Sequence, residues 1–287
     1  LFGLAGCASS EAAAPEPCRA CLSDALARAA IAMMGNQDPH PFLLADDVRI
    51  TEDGVEIQPG QGIYGEGGII ASPPLQILDT REGVAVSFEK IVTAGAAALV
   101  VMRVKLEDGV TEVEIMAVRN RAEGMIFQPE AITFPSDAMT LTPPPELLDS
   151  REQMIEIASR YPEGLRVGSF VTSDVPFAPE AYRFENGQLM AGPGCTFIPG
   201  CDDIKNQRLP TLAGIEHYVA AVDEEQGVVV LRMDFGPGSL FPSPDRPEGM
   251  TLSVFEAFKI WGGEVHAVEA FMEAKPGDAP LGWEPEL

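Results

Sequence analysis

The sequence predicts an α+β fold of two tandem cone-shaped units, each a helix laid on a strongly curved antiparallel sheet. Three observations predict it. Similar segments recur in the same order: "RITEDG" from Arg49 is answered by "RFENG" from Arg183, and "VKLEDGVTEVE" from Val104 by "FKIWGGEVHAVE" from Phe258. In that alignment Lys105 matches Lys259, Gly109 matches Gly263 and, one inserted residue later, Val113-Glu114 matches Val268-Glu269. Ordered self-similarity is the mark of an internal duplication. Each copy also opens with apolar residues at helical spacing and then turns to Gly-bounded runs of strand type. Finally, 46% hydrophobic residues in a chain of 287 suffice for one large core or two ordinary ones.

The elements follow in order. Residues 1–17, "LFGLAGCASSEAAAPEP", read as a signal remnant and polar tether. Leu4-Ala5-Gly6-Cys7 resembles the lipobox of bacterial lipoproteins, which implies a lipid on Cys7 and an anchored, periplasmic or envelope protein. A piece of an ordinary secretory signal is the other reading, and it too means export. Residues 18–127 form the first unit: Leu22, Ala25, Leu26, Ala29 and Met33 make its helical stripe, and "GVAVSFEKIV", "AALVVMRVKL" and "VTEVEIMAV" its strands. Residues 128–149 hold "PPP" and read as a linker, because proline cannot sustain regular pairing. Residues 150–287 form the second unit. Ser150 and Gln153 make a capping box ahead of Met154, Ile157, Ala158 and Tyr161, and "EHYVAAV", "GVVVLRMDF", "LSVFEAFKI" and "EVHAVEAFM" follow as strands. The Pro/Gly-rich stretch at 235–249 makes the second copy longer. A sheet that buries one face on a helix closes into a cone with a pocket, and the tandem copies are expected to pack as an intramolecular pseudo-dimer.

Charge narrows the partners. With 19 basic and 44 acidic residues the net charge is −25, which repels nucleic acid and anionic lipid headgroups and suits solubility. No apolar run is long enough to span a bilayer, so membrane contact is expected only through the lipid. Besides Cys7, four cysteines remain, and three pairings are possible. Cys195 and Cys201 flank "TFIPG", a loop short enough to be bridged, and a disulfide is expected there. Cys18 and Cys21 form a C-x-x-C without a thioredoxin-like pattern behind it, so structural disulfides in an oxidising compartment fit better than redox or zinc chemistry. No metal site and no cofactor are expected.

The segments "DDVRITEDGVEIQPGQGIYG", "VTEVEIMAVRN", "YRFENG", "VDEEQGVVV" and "FEAFKIWGGEVHAVEAFMEAKPGDAPLGW" together resemble the nuclear transport factor 2-like (SnoaL-like) superfamily. More narrowly they resemble a family of secreted, mostly fungal proteins that carries a domain of unknown function. Ile63-Tyr64 and Ala181-Tyr182-Arg183 depart from that family's pattern, so the second copy's disulfide partner can differ. The resemblance implies a sheet wrapped around a helix, and export. In the wider superfamily the cone's interior serves dehydration, isomerisation and hydration.

Such chemistry needs a carboxylate or histidine in an apolar pocket, where lost hydration raises a carboxyl's pKa toward neutrality. Glu269 and its repeat partner Glu114 are the catalytic candidates. Glu269 lies on the drier face, with Val265, Ala267 and Phe271, and is expected to face the cone's interior; His266 points the other way. A structural carboxylate paired with Lys259, Arg232 or Arg183 fits Glu269 equally well. Tyr182, Arg183, His217, Tyr218 and Arg232 are candidate ligand contacts, with Glu185 and Asn186 as a polar rim or a simple turn. His40 lies between prolines in a loop. Three classes of function stand: a metal-free lyase, hydratase or isomerase; a binding protein for a small molecule; and a structural or interaction module.

Overall fold

The computed structural model of the chain describes residues 17–35, 44–130, 136–212, 214–240 and 249–283. Cys7 and its tether, His40 and the stretch 241–248 lie outside the described residues. The first half runs through helix α1 (Arg19–Met33), strands β1 (Leu44–Glu52) and β2 (Val55–Glu56), helix α2 (Gly62–Gly65), and β3 (Ile69–Ile70) and β4 (Leu75–Asp79). The long strands β5 (Val84–Thr93), β6 (Ala96–Leu106) and β7 (Val110–Val118) complete it. Short helices α3 (Arg121–Gly124) and α4 (Asp137–Thr140) and a 3-10 turn (Pro145–Leu147) lie between the halves. Then come helix α5 (Arg151–Val167) and strands β8 (Phe177–Glu185), β9 (Gln188–Ala191), β10 (Ile215–Asp223), β11 (Val228–Leu240), β12 (Met250–Trp261) and β13 (Glu264–Pro276).

The strands form two sheets. One has the order β2-β1-β7-β6-β5-β3, with β4 also on β5; the other has the order β10-β11-β12-β13-β8-β9. The expectation of wholly antiparallel sheets needs correction. Each sheet is mixed, because β1 lies parallel to β7 and β8 parallel to β13. In both halves the strand after the helix pairs with the last long strand, and a chain that long between partners permits parallel pairing.

Helix α5 begins with the capping box, Ser150 accepting from the Gln153 N–H at 3.3 Å while the Gln153 side chain accepts from the Ser150 N–H at 3.0 Å. It ends at Gly168, whose φ of 75° the left-handed cap requires. Its buried residues Met154, Ala158 and Tyr161 share one apolar cluster with Val229, Leu231, Val254 and Val268 of the second sheet. Leu22, Ala25 and Ala29 of α1 share another with Val100, Met102, Val104 and Ile115 of the first. A third cluster lies between the sheets and draws on both: Phe88, Val101 and Met116 from one, Val230, Phe255 and Phe271 from the other, with Phe88 and Phe271 edge to face at 5.3 Å.

Around that layer the contacts repeat in pairs. Arg19 forks onto Asp223 at 2.6 and 2.8 Å, and Arg151 forks onto Asp79 at 3.0 and 2.7 Å. Asp223 also accepts from the Leu78 N–H and Asp79 from the Val222 N–H. Each helix start thus grips the opposite sheet through the same residue types, the self-complementary pattern of a two-fold interface.

Registers correct the sequence alignment in one place. Arg183 lies opposite Val268, and the residue opposite the matching Val113 is Ile50, not Arg49. With that one-step shift Glu52-Asp53-Gly54 falls on Glu185-Asn186-Gly187. Asp53 and Asn186 both take positive φ, 52° and 43°, ahead of a glycine with φ 86°, the backbone of a tight hairpin turn. Glu256 lies opposite Ala270 as Met102 lies opposite Ile115, so those two are equivalent as well.

Candidate functional site

The spaces between α1 and the first sheet and between α5 and the second, termed the first and second cone, differ in what fills them. In the first, the segment after β2 turns inward. Ile63 and Tyr64 of α2 are fully buried in the α1 cluster. The Tyr64 hydroxyl donates to Glu89 at 2.7 Å, Ser87 donates to the same carboxylate at 2.6 Å, and the Ile63 N–H donates to Glu52 at 2.8 Å. Burial raises the Glu89 carboxyl against the pull of these donors. The first cone is therefore closed by its own chain.

The second cone holds a cavity of about 230 Å3. Its walls are apolar save for the exposed Arg208, and include Leu165, Met190, Leu209, Leu252 and Met272, and its floor is polar: Arg183, Glu185, Gln207, Tyr161 and Glu256. Strand order builds the floor. Glu256 of β12 and Glu185 of β8 both lie opposite Ala270 of the intervening β13, one row across three strands. Arg183 stands two residues before Glu185 and hence on the same face.

Arg183 is 4% exposed. Its Nη1 donates to the Tyr161 hydroxyl at 3.2 Å and its Nη2 to Gln207 at 3.0 Å. Its Nε lies 2.7 Å from a Glu185 oxygen, but in an orientation that gives a charge contact and leaves the N–H without an acceptor. Burial opposes the guanidinium charge; Tyr161, Glu185 and Glu256 outweigh it and raise the Arg183 pKa. Gln207 is fixed by donating to the Met190 carbonyl at 3.1 Å. Tyr161 is held by stacking on Phe170 at 4.6 Å and by the edge of Phe258 at 4.9 Å. Its hydroxyl bonds Glu256. Burial lifts the Glu256 carboxyl to about 8, partly countered by Arg183 and reinforced by Glu185. The floor is thus a hydrogen-bonded set with one carboxyl that titrates near neutrality.

Sequence reasoning missed Glu256. The positions equivalent to Glu256 and Arg183 in the first cone are Met102 and Ile50, both buried and apolar. The available signal was that contrast, a polar residue in one copy where the other has core.

Among the ligand-contact and rim residues singled out from the sequence, Arg183 and Glu185 line this cavity. Glu269 is 4% exposed but sits on the opposite face of β13, between the sheets, where Ala267 and Phe271 belong to the inter-sheet cluster. This corrects the expectation that it faces the cone. A bulge in β13 at Lys259/Ile260 of its partner strand shifts the alternation, so Val265 packs with the α5 cluster instead of beside Glu269. Glu269 pairs with none of Lys259, Arg232 or Arg183. Ser136, at the start of α4, bonds it through both its N–H and its hydroxyl, while burial raises the carboxyl to about 7 and leaves Oε2 without a partner. The Ser136 hydroxyl also bonds that of Tyr182. Tyr182, half-buried, lies on the same inter-sheet face, and burial raises its pKa.

Glu114 also lies between the sheets. Arg103 donates to one of its oxygens and Arg232 to the other, each at 3.2 Å, and Tyr218 donates at 3.4 Å. Arg232 continues to Asp234 at 3.0 Å. Glu114, Tyr218 and Arg232 therefore stitch the two sheets together. His217 is half-buried near the end of α5, where burial and Arg166 lower its pKa. His266 stacks on Trp261 at 3.6 Å and bonds Glu180 at 2.7 Å. Asn186 is fully buried; its side chain bonds the carbonyls of Gly124, Ile126 and Met272 and the Met272 N–H, and so fixes the loop at the cavity mouth. Lys259 is also fully buried, on the carbonyls of Met139, Leu141 and Gln226, and burial lowers it to about 8.

Two open clefts of about 930 Å3 each flank the inter-sheet layer and share Arg49, Tyr218 and Trp283. They are larger than the cone's cavity, but much of their charge is spent on ion pairs such as Arg103–Glu112 and Arg151–Asp79. The cone is the better-built site because its polar groups converge within apolar walls. Among the described residues no group of acidic, histidine or cysteine side chains is arranged to hold a metal.

Cys195 is bonded to Cys201 and Cys18 to Cys21. Both disulfides fit an oxidising, extracytoplasmic setting. Among the described residues no helix is long and apolar enough to cross a membrane.

No curated protein matches the chain. A solved structure described as an NTF2-like protein of unknown function, from Shewanella baltica, is 17% identical over 42% of this chain and 91% of that one, with a TM-score of 0.29. The fold described above rests on the strand registers and not on that likeness. Residues 148–272, which include α5 and the strands of the cavity floor, match the model of a family described as a domain of unknown function, DUF8021.

Proposed function

We propose that the cone of the second unit binds a small organic molecule, and that Glu256 exchanges a proton with it in a lyase- or isomerase-type reaction without metal. One observation carries this reading. Where the first cone has Ile50 and Met102 and is filled by Ile63 and Tyr64, the second has Arg183 and Glu256 around an open cavity. Buried polar groups are costly and are kept where they pair or act. A carboxyl held at about 8 gives up or takes a proton near neutral pH at small cost. In the same reading the chain is exported and anchored through a lipid on Cys7. Residues 18–127 and 150–287 are then the two nuclear transport factor 2-like units, joined by 128–149 and packed as a pseudo-dimer.

Native mass spectrometry of protein from its own source tests the reading. A small molecule retained by the wild type and lost in Ala270→Leu, which fills the floor between Glu256 and Glu185, is the expected result. A ligand retained equally by both proteins contradicts it. Turnover abolished in Glu256→Gln while binding persists separates catalysis from plain binding.

A further inference from the structure

We infer that the ligand of the second cone is a small amphiphile with an uncharged polar head and an apolar body, entering head first. The inference rests on the cone being the site. The buried polar side chains of the cavity gather at its floor. At the floor Arg183 meets Glu185 at 2.7 Å, and the Tyr161 hydroxyl and Gln207 accept from the guanidinium. Apart from the exposed Arg208, the remaining walls are apolar and include Met190 and Met272, unbranched side chains that adapt to irregular shapes. The apolar track continues to the surface. Met125 and Ile198 line the mouth and are 38% and 40% exposed. A molecule that follows this track must be apolar along its length and polar at its leading end.

The head's charge follows from the floor's own balance. Arg183 and Glu185 neutralise each other, and Glu256, lifted to about 8, is uncharged at neutral pH. An anionic head would find the one buried cation of the floor, Arg183, already paired with Glu185. A cationic head would force Glu256 to ionise. The anion would share a cation that is already paired, and the cationic head would bring a second charge into the apolar cavity with Glu256, where desolvating both offsets their attraction. A carbonyl or hydroxyl head instead finds a donor in the protonated Glu256, which lines the cavity. The size is bounded too, since about 230 Å3 falls below the ~300–1,000 Å3 usual for drug-sized ligands.

The test titrates the full chain with 2-octanone, octanoate and octylammonium near pH 6.5, with Ala270→Leu as the cavity-filled control and Met272→Phe as a second one should the first not fold. The ketone is expected to bind at least tenfold more tightly than either ion and to lose its affinity in the filled variant. Equal or tighter binding of octanoate or octylammonium overturns the uncharged head, and failure of all three to bind overturns the amphiphile. Ketone affinity unchanged by filling the cavity places the probe elsewhere, and then it is the cone as the site that falls.

Discussion

Replacing Glu256 by glutamine should remove a specific slope from the pH dependence of stability. The side chain is 3% exposed, and burial lifts its carboxyl from 4.5 to about 8. The folded state therefore holds a proton that the unfolded chain releases above about 4.5. The sign follows by linkage: the stabilisation is fully present below the unfolded value, declines as pH rises, and is gone above about 8. At 1.36 kcal/mol per pKa unit the whole change is about 5 kcal/mol. Glutamine keeps the shape and can bond Tyr161 without ionising. Glu256→Gln should thus match the wild type near pH 4.5 and exceed it by up to about 5 kcal/mol above pH 8. The assay is denaturant unfolding of both proteins at a series of pH values. Glu269 and Glu273, each lifted to about 7 chiefly by burial, add slopes of the same sign, but these are common to both proteins and cancel in the difference. A wild-type-minus-variant difference that is flat from pH 4.5 to 9 would refute the argument, since Glu256 would then titrate as an ordinary carboxyl.

Glu269→Gln should likewise stabilise the fold, by about 3 kcal/mol above pH 7 and by little near pH 4.5, while leaving ligand binding in the cone unchanged; the same unfolding series checks it. Tyr64→Phe strips a hydrogen bond from the buried Glu89 and should cost about 1–3 kcal/mol, read as a lower denaturation midpoint with unaltered ligand affinity. Arg151→Ala leaves the Asp79 carboxylate, 1% exposed, without its forked partner and should cost about 3–5 kcal/mol in the same assay.

The recurring turns and the helix cap were legible in the sequence because turns and capping obey local rules. Ser150 and Gln153 form their box, and the Asp53-Gly54 and Asn186-Gly187 turns recur because positive φ favours those residues. The Cys195–Cys201 bridge could be read from its short loop. Less legible were matters of register. A single bulge in β13 moved Val265 to the other face and left Glu269 between the sheets. A one-residue shift in the alignment hid that Arg183 replaces Ile50, and with it the polarity of the second cone. Glu256 was hidden for a related reason. Its neighbours on both faces of β12, Val254 and Phe258 on one and Phe255 and Ala257 on the other, are all apolar. Periodicity cannot say which face covers a cavity when both are buried. The parallel pairs β1–β7 and β8–β13 escaped because pairing over such separations leaves no local mark.

The most direct test of the central claim is a crystal of the protein soaked with a panel of small organic molecules. The account predicts bound density in the second cone, with a polar atom against Glu256 and Arg183 and the body along Met190 and Leu209, and none in the first cone behind Tyr64. Density confined to the clefts beside Trp283, with the second cone closed by its own side chains, would contradict it.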